Sequence, residues 1–308
     1  MTKKLVLTLL PFMALTACGK TNYQLDLNIA TPAGSPAIAF YKYLGDTEHL
    51  EVNSDANNVL AYFGADAKTI KDVIVAPTNA GVAKIKAGAP YKIAATVTFG
   101  NFFLLSTGKD DNEALDEGDK VLAFQENGVA GKLYKYLYSD KTSNVTYVAD
   151  AKAVNTAITD KDFDYEYVLL AQPVVTSVLS AHSDFKVFAS LQVDYKTKTG
   201  KEITQASIFI RDTAEKEKAD KMLKAVKKDV EELLEKPSVF ADAVEGLEEQ
   251  VVTSKVTGKT QLIVNLLTNN NALGMGFKYA KENKEAIDTF VKAIGMGETS
   301  EEIYYSID

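Results

Sequence analysis

The chain has 308 residues, of which 46% are hydrophobic, and a formal net charge of −8 at neutral pH. This length and composition allow two domains with large cores and exclude wholesale disorder, and the negative charge argues against nucleic acid as a partner. The single cysteine excludes an intrachain disulfide, and two distant histidines, His49 and His182, cannot alone build a transition-metal site. We therefore expect no metal and no cofactor.

The first residues have the pattern of a targeting segment. Two lysines precede a short apolar run, Leu5 to Ala14, and Leu15-Thr16-Ala17-Cys18 follows directly. An ordinary secretory signal has the same general pattern. The four residues ending at Cys18, however, resemble a bacterial lipobox, and they hold the only cysteine of the chain.

The lipobox predicts how the protein is placed in the cell. We expect a lipoprotein signal peptide over residues 1–17, lipidation of Cys18 and a short tether over residues 18–23. No later run approaches the ~20 apolar residues of a transmembrane helix. The predicted protein is therefore extracytoplasmic and lipid-anchored to the bacterial cell membrane.

The first strand signal, Leu25 to Ala30, leads into a turn and then a helix. The turn is Thr31 to Pro36, and the helix is predicted from Ala37 to Leu44. Ser35 is a natural N-cap, and Pro36 stands where a missing N–H costs nothing. Such a helix start presents a row of free backbone N–H groups, which bind polar or anionic groups.

Strand and helix signals alternate from this turn up to about residue 211. The β-rich run Asp72 to Ala76 ends in the polar turn Pro77-Thr78-Asn79. The run Tyr167 to Ala171 ends in the same way, in Gln172-Pro173. This alternation predicts an α/β protein whose sheets are mostly parallel and are flanked by helices.

Two polar patches, Lys109 to Asp119 and Asp194 to Glu202, interrupt the alternation and are predicted to be loops. A long β-rich run, Tyr91 to Ser106 with a break at Gly100, precedes the first patch, and Ile203 to Arg211 follows the second. We therefore predict two lobes with these two crossing strands as the hinge. The predicted bounds are 24–107 with 207–308 for lobe 1 and 108–206 for lobe 2.

The chain after residue 212 is predicted to be mostly helical. Ala214 to Lys236 has apolar residues at the 3.6-residue period of a helix, and Pro237 ends it. The further helix candidates are Val239 to Leu247, Val264 to Leu267 and Gly276 to Ile294.

Two segments of the chain match without a gap. NIATPAGSPAIAFYKYL, residues 28–44, lies over VLAFQENGVAGKLYKYL, residues 121–137, and Ser35 falls on Gly128. Chance is one explanation in a chain rich in tyrosine and lysine. The other explanation is that both lobes begin with the same strand, turn and helix. Helix starts at the carboxyl ends of strands would then face one another across the hinge, where open α/β sheets bind ligands.

Several segments together resemble a known family. The lipobox, the TPAGSPA turn, DVIVAPTNAG, the crossing strand KIAATVTFGNFFLL and LLAQPVVTSV are similar to extracytoplasmic solute-binding lipoproteins of bacterial ABC importers. The resemblance is greatest to the type II group of nitrate, taurine, alkanesulfonate and thiamine-pyrimidine receptors. It implies a two-lobed type II periplasmic-binding-protein fold with a mostly parallel sheet in each lobe. It also implies a monomeric, non-enzymatic receptor that binds a small-molecule ligand and delivers it to ABC permease and ATPase subunits.

The resemblance places the ligand between the lobes, against the turns after the strands and against the hinge. Each residue concerned also has a simpler explanation, as a turn former or a helix cap. In the hinge strand, alternation predicts that Phe99 and Asn101 share one face and that Phe102 faces the core. The ligand-binding residues carried over by position are Thr31, Gly34, Ser35, Thr78, Asn79, Phe99, Asn101, Gln125, Asn127, Gly128 and Gln172.

The single arginine, Arg211, narrows the ligand class. A bidentate arginine is the strongest match to the α-carboxylate of an amino acid, but Arg211 ends the return strand, where we expect a surface role. We therefore disfavour amino acids. The predicted ligand is a neutral or weakly anionic heterocycle or vitamin precursor, bound by tyrosine, phenylalanine and neutral polar side chains. A small oxyanion held by helix N-termini stays open as an alternative.

Two other function classes stay open on the sequence. A membrane-anchored extracellular enzyme with paired carboxylates is compatible with the many Asp and Glu residues. The G-x-S-x-G elbow of serine hydrolases is absent, however, and an acylated Cys18 leaves no cysteine nucleophile. A surface adhesin is the third class, and it needs no cleft between lobes.

Overall fold

The computed structural model describes residues 23–64, 70–108, 114–141 and 144–307. The predicted signal peptide, Cys18 and the tether apart from Tyr23 lie outside these ranges, as does part of the first polar patch. Over the described ranges, no helix combines the length and the apolar composition that crossing a bilayer requires.

Strands and helices alternate through most of the described chain. The strands are β1 (Ile29–Pro32), β2 (Leu50–Asn53), β3 (Val73–Pro77), β4 (Tyr91–Thr98), β5 (Phe102–Ser106), β6 (Val121–Phe124), β7 (Val145–Val148), β8 (Tyr167–Ala171), β9 (Lys186–Ser190), β10 (Ala206–Arg211) and β11 (Met275–Tyr279). The α-helices are α1 (Ser35–Ile38), α2 (Ala56–Ala61), α3 (Thr78–Lys86), α4 (Val129–Tyr138), α5 (Ala151–Ile158), α6 (Val174–Ala181), α7 (Leu191–Thr199), α8 (Lys216–Glu235), α9 (Val239–Val244), α10 (Glu249–Val256), α11 (Thr260–Thr268) and α12 (Lys284–Ala293).

These strands form two sheets, each flanked by helices. The larger sheet has the order β11-β4-β10-β3-β1-β2, and the smaller sheet has the order β7-β6-β8-β5-β9. In the larger sheet β10 and β11 run against the other strands, and in the smaller sheet only β5 does so. The predicted α/β class with mostly parallel sheets is confirmed. We call the larger sheet with its helices lobe 1 and the smaller sheet with its helices lobe 2.

The chain crosses between the two sheets on two strand connections. β4 ends at Thr98 in the larger sheet, and β5 begins at Phe102 in the smaller one. The chain returns through β10, which lies between β3 and β4. Gly100 has a φ of 103° and breaks the first crossing at the position that the sequence predicts. The exact residue bounds of the two lobes stay a prediction.

β1 and β6 occupy the same place in their sheets. β1 pairs in parallel with β2 and β3, and β6 pairs in parallel with β7 and β8. Each is followed by a helix with a glycine at its N-cap, Gly34 before α1 and Gly128 before α4. This shared position favours a common strand, turn and helix over chance as the explanation of the matching segments.

The first helix is shorter than predicted. Instead of one helix from Ala37 to Leu44, α1 has four residues and a 3₁₀ turn follows at Tyr41–Tyr43. The N-cap is Gly34, whose φ of 95° suits glycine, and Ser35 is already inside the helix. The prediction of Ser35 as the N-cap is therefore wrong.

The second polar patch is a helix, not a loop. α7 covers most of it, because Leu191 and Tyr195, spaced four residues apart, are both fully buried. Gly200 ends the helix in the left-handed conformation. The sequence did not reveal this helix, because two apolar residues among polar ones give only a weak helical periodicity.

Only the second half of the last predicted helix is helical, and its first residues form a strand. Residues 275–279 form β11, an edge strand that pairs with β4, and α12 begins only at Lys284. An edge strand of five residues depends on its partner strand rather than on its own composition, so the sequence pattern did not reveal it. α10 was also not predicted.

α12 packs against the cores of both lobes. Ile287 and Val291 belong to the hydrophobic cluster that includes β3 and β10 residues of lobe 1. Phe290 and Ile294 belong to the cluster of lobe 2, where the Phe290 ring lies edge-on to Tyr195 at 5.9 Å between centroids. The helix therefore links the lobes in addition to the two strand crossings.

A glycine in α3 tests the packing of lobe 1. A Cβ atom added at Gly81 would lie 2.1 Å from Cζ of Phe209 on β10. We expect Gly81→Ala to lower the free energy of unfolding by about 3 kcal/mol, because the ring or the helix must shift. Urea denaturation measures this. Gly118→Ala, where a Cβ meets nothing within 4 Å, is the control and should leave the urea midpoint unchanged. Equal midpoints for the two variants would contradict the described packing of α3 on β10.

Candidate functional site

One buried amide connects the turns of both lobes. Asn101, 3% exposed, lies between β4 and β5 where the chain passes from lobe 1 to lobe 2. Its Nδ2 donates to Ser35 Oγ in lobe 1, at 3.1 Å, and to the Gln172 carbonyl oxygen in lobe 2, at 3.3 Å. Its Oδ1 accepts from Gln205 Nε2, at 3.1 Å, just before the return strand. We call these four residues the hinge network.

A backbone carbonyl fixes the direction of every hydrogen bond in the hinge network. The Gln172 carbonyl can only accept, so Asn101 must direct its NH₂ group toward it. Asn101 Oδ1 then faces Gln205, whose NH₂ group donates. This leaves Gln205 Oε1 as a buried acceptor without a hydrogen-bond partner. Such a group costs about 1–3 kcal/mol when nothing satisfies it.

The turn after β3 reaches the hinge network through the backbone. The Thr78 N–H donates to the Gln205 carbonyl oxygen at 3.0 Å, and Thr78 Oγ1 lies 2.7 Å from Ser207 Oγ. The next residue, Asn79, is 5% exposed, and its Oδ1 is buried without a partner. Thr98 Oγ1, at the end of β4, is also buried and unpartnered. Unpaired polar atoms therefore accumulate on the lobe 1 side of the hinge.

Some backbone N–H groups just before the helix starts are used within the protein. Gly34 N donates to the Lys255 carbonyl oxygen at 2.9 Å, and Ala33 N donates to that of Asn53 at 2.7 Å. Gly128 N donates to the Gln125 carbonyl oxygen at 2.8 Å. The expected row of free N–H groups in the turn after β1 is therefore wrong at Ala33 and Gly34.

The turn after β6 stands apart from the hinge network. Gln125 and Asn127 are exposed, and no hydrogen bond of the described chain joins residues 125–128 to Ser35, Asn101 or Gln172. Gln125 has a φ of 52°, and a Cβ at Gly128 would lie 2.8 Å from Gln125 Cβ. Gly128 is therefore needed for the shape of the turn, and a ligand contact by Gln125, Asn127 or Gly128 stays a prediction.

Three other predicted residues have structural partners of their own. Thr31 is fully buried, and its hydroxyl donates to the Pro32 carbonyl oxygen at 3.2 Å. Gln172 Oε1 accepts from the Thr176 N–H at 3.2 Å and from its hydroxyl at 3.0 Å, so this side chain holds the first turn of α6. The Phe99 ring packs on β11, where a Cβ at Gly276 would lie 2.7 Å from Phe99 Cε2.

The hinge segment does not keep the strand alternation that the sequence predicts. β4 ends before Phe99 and β5 begins after Asn101, so the expectation that these two residues share a strand face does not apply. Phe102 is 4% exposed, and its ring lies 6.3 Å from that of Phe124 in the core of lobe 2. The prediction that Phe102 faces the core is confirmed.

Known structures with the same arrangement of sheets identify the fold. An ABC transporter protein from Parabacteroides distasonis has a TM-score of 0.71 at 16% identity, over 92% of this chain and 99% of that chain. The periplasmic aliphatic sulphonate binding protein SsuA from Escherichia coli has a TM-score of 0.60 at 10% identity, over 89% and 92% of the two chains. The chain has the two-lobed fold of type II periplasmic binding proteins.

A third similar structure carries a ligand. The alkanesulfonate-binding protein SsuA from Xanthomonas axonopodis pv. citri, bound to MOPS, has a TM-score of 0.59 at 13% identity, over 89% of this chain and 94% of that chain. No protein-family model and no curated protein sequence matches the chain. The periplasmic-binding-protein fold is therefore shown by structure alone, and identities this low do not transfer a ligand.

Within this periplasmic-binding-protein fold, the sequence did not predict several residues close to the hinge. Gln205 is one, and Gln192 is another, because its Oε1 accepts from the Phe102 N–H at 3.1 Å. A Cβ at Gly100 would lie 3.0 Å from Gln192 Cβ, so Gln192 packs directly on the crossing. The available signal was a lone glutamine beside an apolar strand, as in ITQASIFIR.

A loop between α10 and α11 also lies against the turns of both lobes. A Cβ at Gly34 would lie 3.4 Å from Thr257 Oγ1, and one at Gly258 would lie 3.5 Å from Pro173 Cγ. Thr257 has a φ of 58° and ends α10. The sequence VTGKT contained this turn signal, but nothing in it indicated that the turn reaches the hinge.

Asn101 provides a direct test of the hinge network. Asn101→Ala removes three hydrogen bonds and leaves the partner atoms in Ser35, Gln172 and Gln205 without this amide. We expect the free energy of unfolding to fall by about 2–3 kcal/mol. Asn127→Ala, in the exposed turn after β6, is the matched control and should change it by less than ~0.5 kcal/mol. Both are measured by urea denaturation, and equal stability of the two variants would contradict the network.

Proposed function

We propose that the protein is a lipid-anchored substrate-binding protein that captures a small solute between its lobes and delivers it to an ABC importer. The observation that carries the proposal is the hinge network, in which one buried amide contacts both lobes and ends at an unpartnered acceptor. The two-lobed fold supports it, as do the transport and sulphonate-binding names of similar structures.

The proposed ligand is a neutral or weakly anionic heterocycle or vitamin precursor. Gln205 Oε1 and Asn79 Oδ1 are buried acceptors that lack partners, so they favour a ligand that carries N–H or O–H donors. An anionic group placed against these oxygens would be repelled. The occupied N–H groups at Ala33 and Gly34 argue in the same direction, because they remove donors that would hold an oxyanion.

The proposed mechanism is closure of the lobes. The ligand binds to one lobe, the other lobe closes over it, and the closed form presents a new surface to the permease and ATPase subunits. The bonds from Asn101 to Ser35 and to Gln172 join opposite lobes, so their geometry changes with the closure angle. The protein acts as a monomer, without catalysis. Rival proposals are an anchored carboxylate enzyme and a surface adhesin.

A thermal-shift screen separates these proposals. The mature chain is tested against pools of vitamins, heterocycles, small anions and amino acids. We expect one compound with N–H or O–H donors to raise the melting temperature without being converted, because a binding protein is stabilised by its ligand. Small-angle scattering should then show compaction. Turnover of the compound would favour the enzyme, and the absence of any stabilising compound would contradict the receptor.

Asn79 distinguishes a ligand contact from a structural role. Its side chain makes no hydrogen bond in the described chain, so Asn79→Ala should leave the stability of the free protein unchanged or higher. The affinity for the screened ligand, measured by calorimetry, should fall about tenfold. Asn155→Ala, which removes an exposed amide on α5 outside the predicted site, serves as the control and should leave the affinity unchanged. Unchanged affinity in Asn79→Ala would remove Asn79 from the site.

The proposed anchor is a diacylglycerol-type lipid on Cys18, which would hold the protein on the outer face of the cell membrane. Cys18→Ala should leave the protein unlipidated and release it from the membrane fraction, because the lipid on Cys18 is the proposed anchor. Fractionation and mass spectrometry of the N-terminal peptide measure both effects. A Cys18→Ala protein that stays with the membrane would contradict the lipid anchor.

A further inference from the structure

A cavity of about 360 Å³ opens at the end of lobe 1 that lies away from the hinge. It lies where β4 begins, at Tyr91, and where β10 ends, at Arg211. The hinge lies at the other end of these strands, so the length of β4, about 23 Å, separates the two places. The residues that matter for its chemistry are Arg211, Lys84, Tyr91 and Phe63.

Arg211 is the only arginine of the chain, and its side chain forms no hydrogen bond or ion pair with the described residues. Its Nε is buried without a hydrogen bond, and its guanidinium forms no ion pair with a described carboxylate. Two carboxylates close to it in the fold are used elsewhere. Asp72 Oδ2 accepts from the Asn28 N–H at 2.9 Å, and Asp212 lies 3.9 Å from Lys92 Nζ. A half-buried guanidinium with no acceptor is costly, because it carries five N–H donors and a permanent charge.

Lys84 is a second cation on the wall of the same cavity. It lies on the exposed face of α3 and forms no ion pair within the described ranges. Other lysines of this acidic chain do form such pairs, for example Lys42 with Asp229 at 2.7 Å and Lys135 with Glu126 at 2.8 Å. Two positive charges that share a cavity without a described acid repel each other, and an anion between them would relieve that repulsion.

The floor of the cavity is apolar and fixed. The rings of Phe63 and Tyr91 are each 3% exposed and lie edge-on at 5.0 Å between centroids. The Tyr91 hydroxyl donates to the Lys71 carbonyl oxygen at 2.7 Å, which holds the ring in place. Burial raises the pKa of Tyr91 to about 12, and the charge of Arg211 acts in the opposite direction, as expected for a guanidinium close to this hydroxyl.

We propose that this cavity is a second binding site, for a small aromatic anion such as a single-ring phosphate ester or carboxylate. Arg211 and Lys84 hold the anionic group, with Arg211 offering the paired donors that match its oxygens. The small exposed edges of Phe63 and Tyr91 contact the ring of the ligand. A volume of about 360 Å³ lies near the lower end of the small-molecule range, so one ring with its anionic group fits. The site is independent of the ligand proposed for the hinge.

An NMR titration of the mature chain with phenyl phosphate at low ionic strength tests the proposal. We expect saturable shifts of the backbone amides of Gly64 and Gly88, which line the cavity, and none at Gly34 and Gly128 beside the hinge. Inorganic phosphate should bind more weakly and phenol should not bind, because each supplies only half of the recognised ligand. Higher salt should weaken binding. Shifts confined to Gly34 and Gly128, or no saturation, would overturn the second site.

Charge variants provide the second arm of the test. Arg211→Gln should weaken the binding of phenyl phosphate by at least about tenfold, and Arg211→Lys should weaken it less, because the charge stays while the paired donors are lost. Lys84→Gln should weaken the binding of phenyl phosphate about threefold. Because Lys84 is exposed, this variant should fold, and it tests the site even if Arg211→Gln does not fold. Lys152→Gln, on α5 of lobe 2, removes the same charge elsewhere and should have no effect. Unchanged affinity in a folded Arg211→Gln or in Lys84→Gln would overturn the assignment.

Discussion

The bond between the Asn101 amide and the Gln172 carbonyl is the constraint from which the hinge follows. A backbone carbonyl has one possible role, so it sets the orientation of Asn101, and Asn101 in turn sets that of Gln205. The interaction is buried, where a mispaired group would cost about 1–3 kcal/mol, so alternative orientations are disfavoured. The orientation of the hinge-network side chains is therefore set by the main chain of lobe 2.

The two lobes are also held by contacts that do not involve the crossing strands. α12 inserts Phe290 against Tyr195 of lobe 2 while its Ile287 packs on lobe 1. Lys201, after α7, forms an ion pair of 2.7 Å with Glu285 on α12. The ion pair is partly exposed and contributes little, but the buried aromatic contact is lost if the lobes separate at that edge. α12 therefore joins the lobes on its side of the molecule in addition to the two crossings.

The sequence predicted the features that depend on local patterns. The α/β class and the break at Gly100 follow from the alternation of strand and helix signals, from turn residues and from glycine, and the structure agrees with them. It did not predict α7, because the two buried residues that define this helix, Leu191 and Tyr195, are surrounded by polar ones. β11 was missed for a different reason, since its pairing with β4 is a tertiary contact.

The candidate site could be predicted only in part, because its chemistry arises from contacts between distant segments. Ser35, Asn101 and Gln172 were expected near the hinge. Gln205 completes their network, but a lone glutamine beside an apolar strand is too weak a signal to identify it from sequence. The turn after β1 was expected to offer free N–H groups. Two of these groups instead donate to the carbonyl oxygens of Lys255 and Asn53. Those carbonyls come from remote parts of the chain, and no local pattern indicates where they lie.

Unpaired polar atoms have different meanings in different parts of this fold. The Tyr134 hydroxyl is also buried without a partner, in the core of lobe 2, where burial raises its pKa and keeps it neutral. Around Gln205, by contrast, Asn79, Thr98 and Gln205 itself leave acceptors unpaired within one small region. A single tolerated defect explains the first case but not the second, because costs of this size add when they are independent. The proposed ligand site rests on this cluster of unpaired groups beside the hinge network.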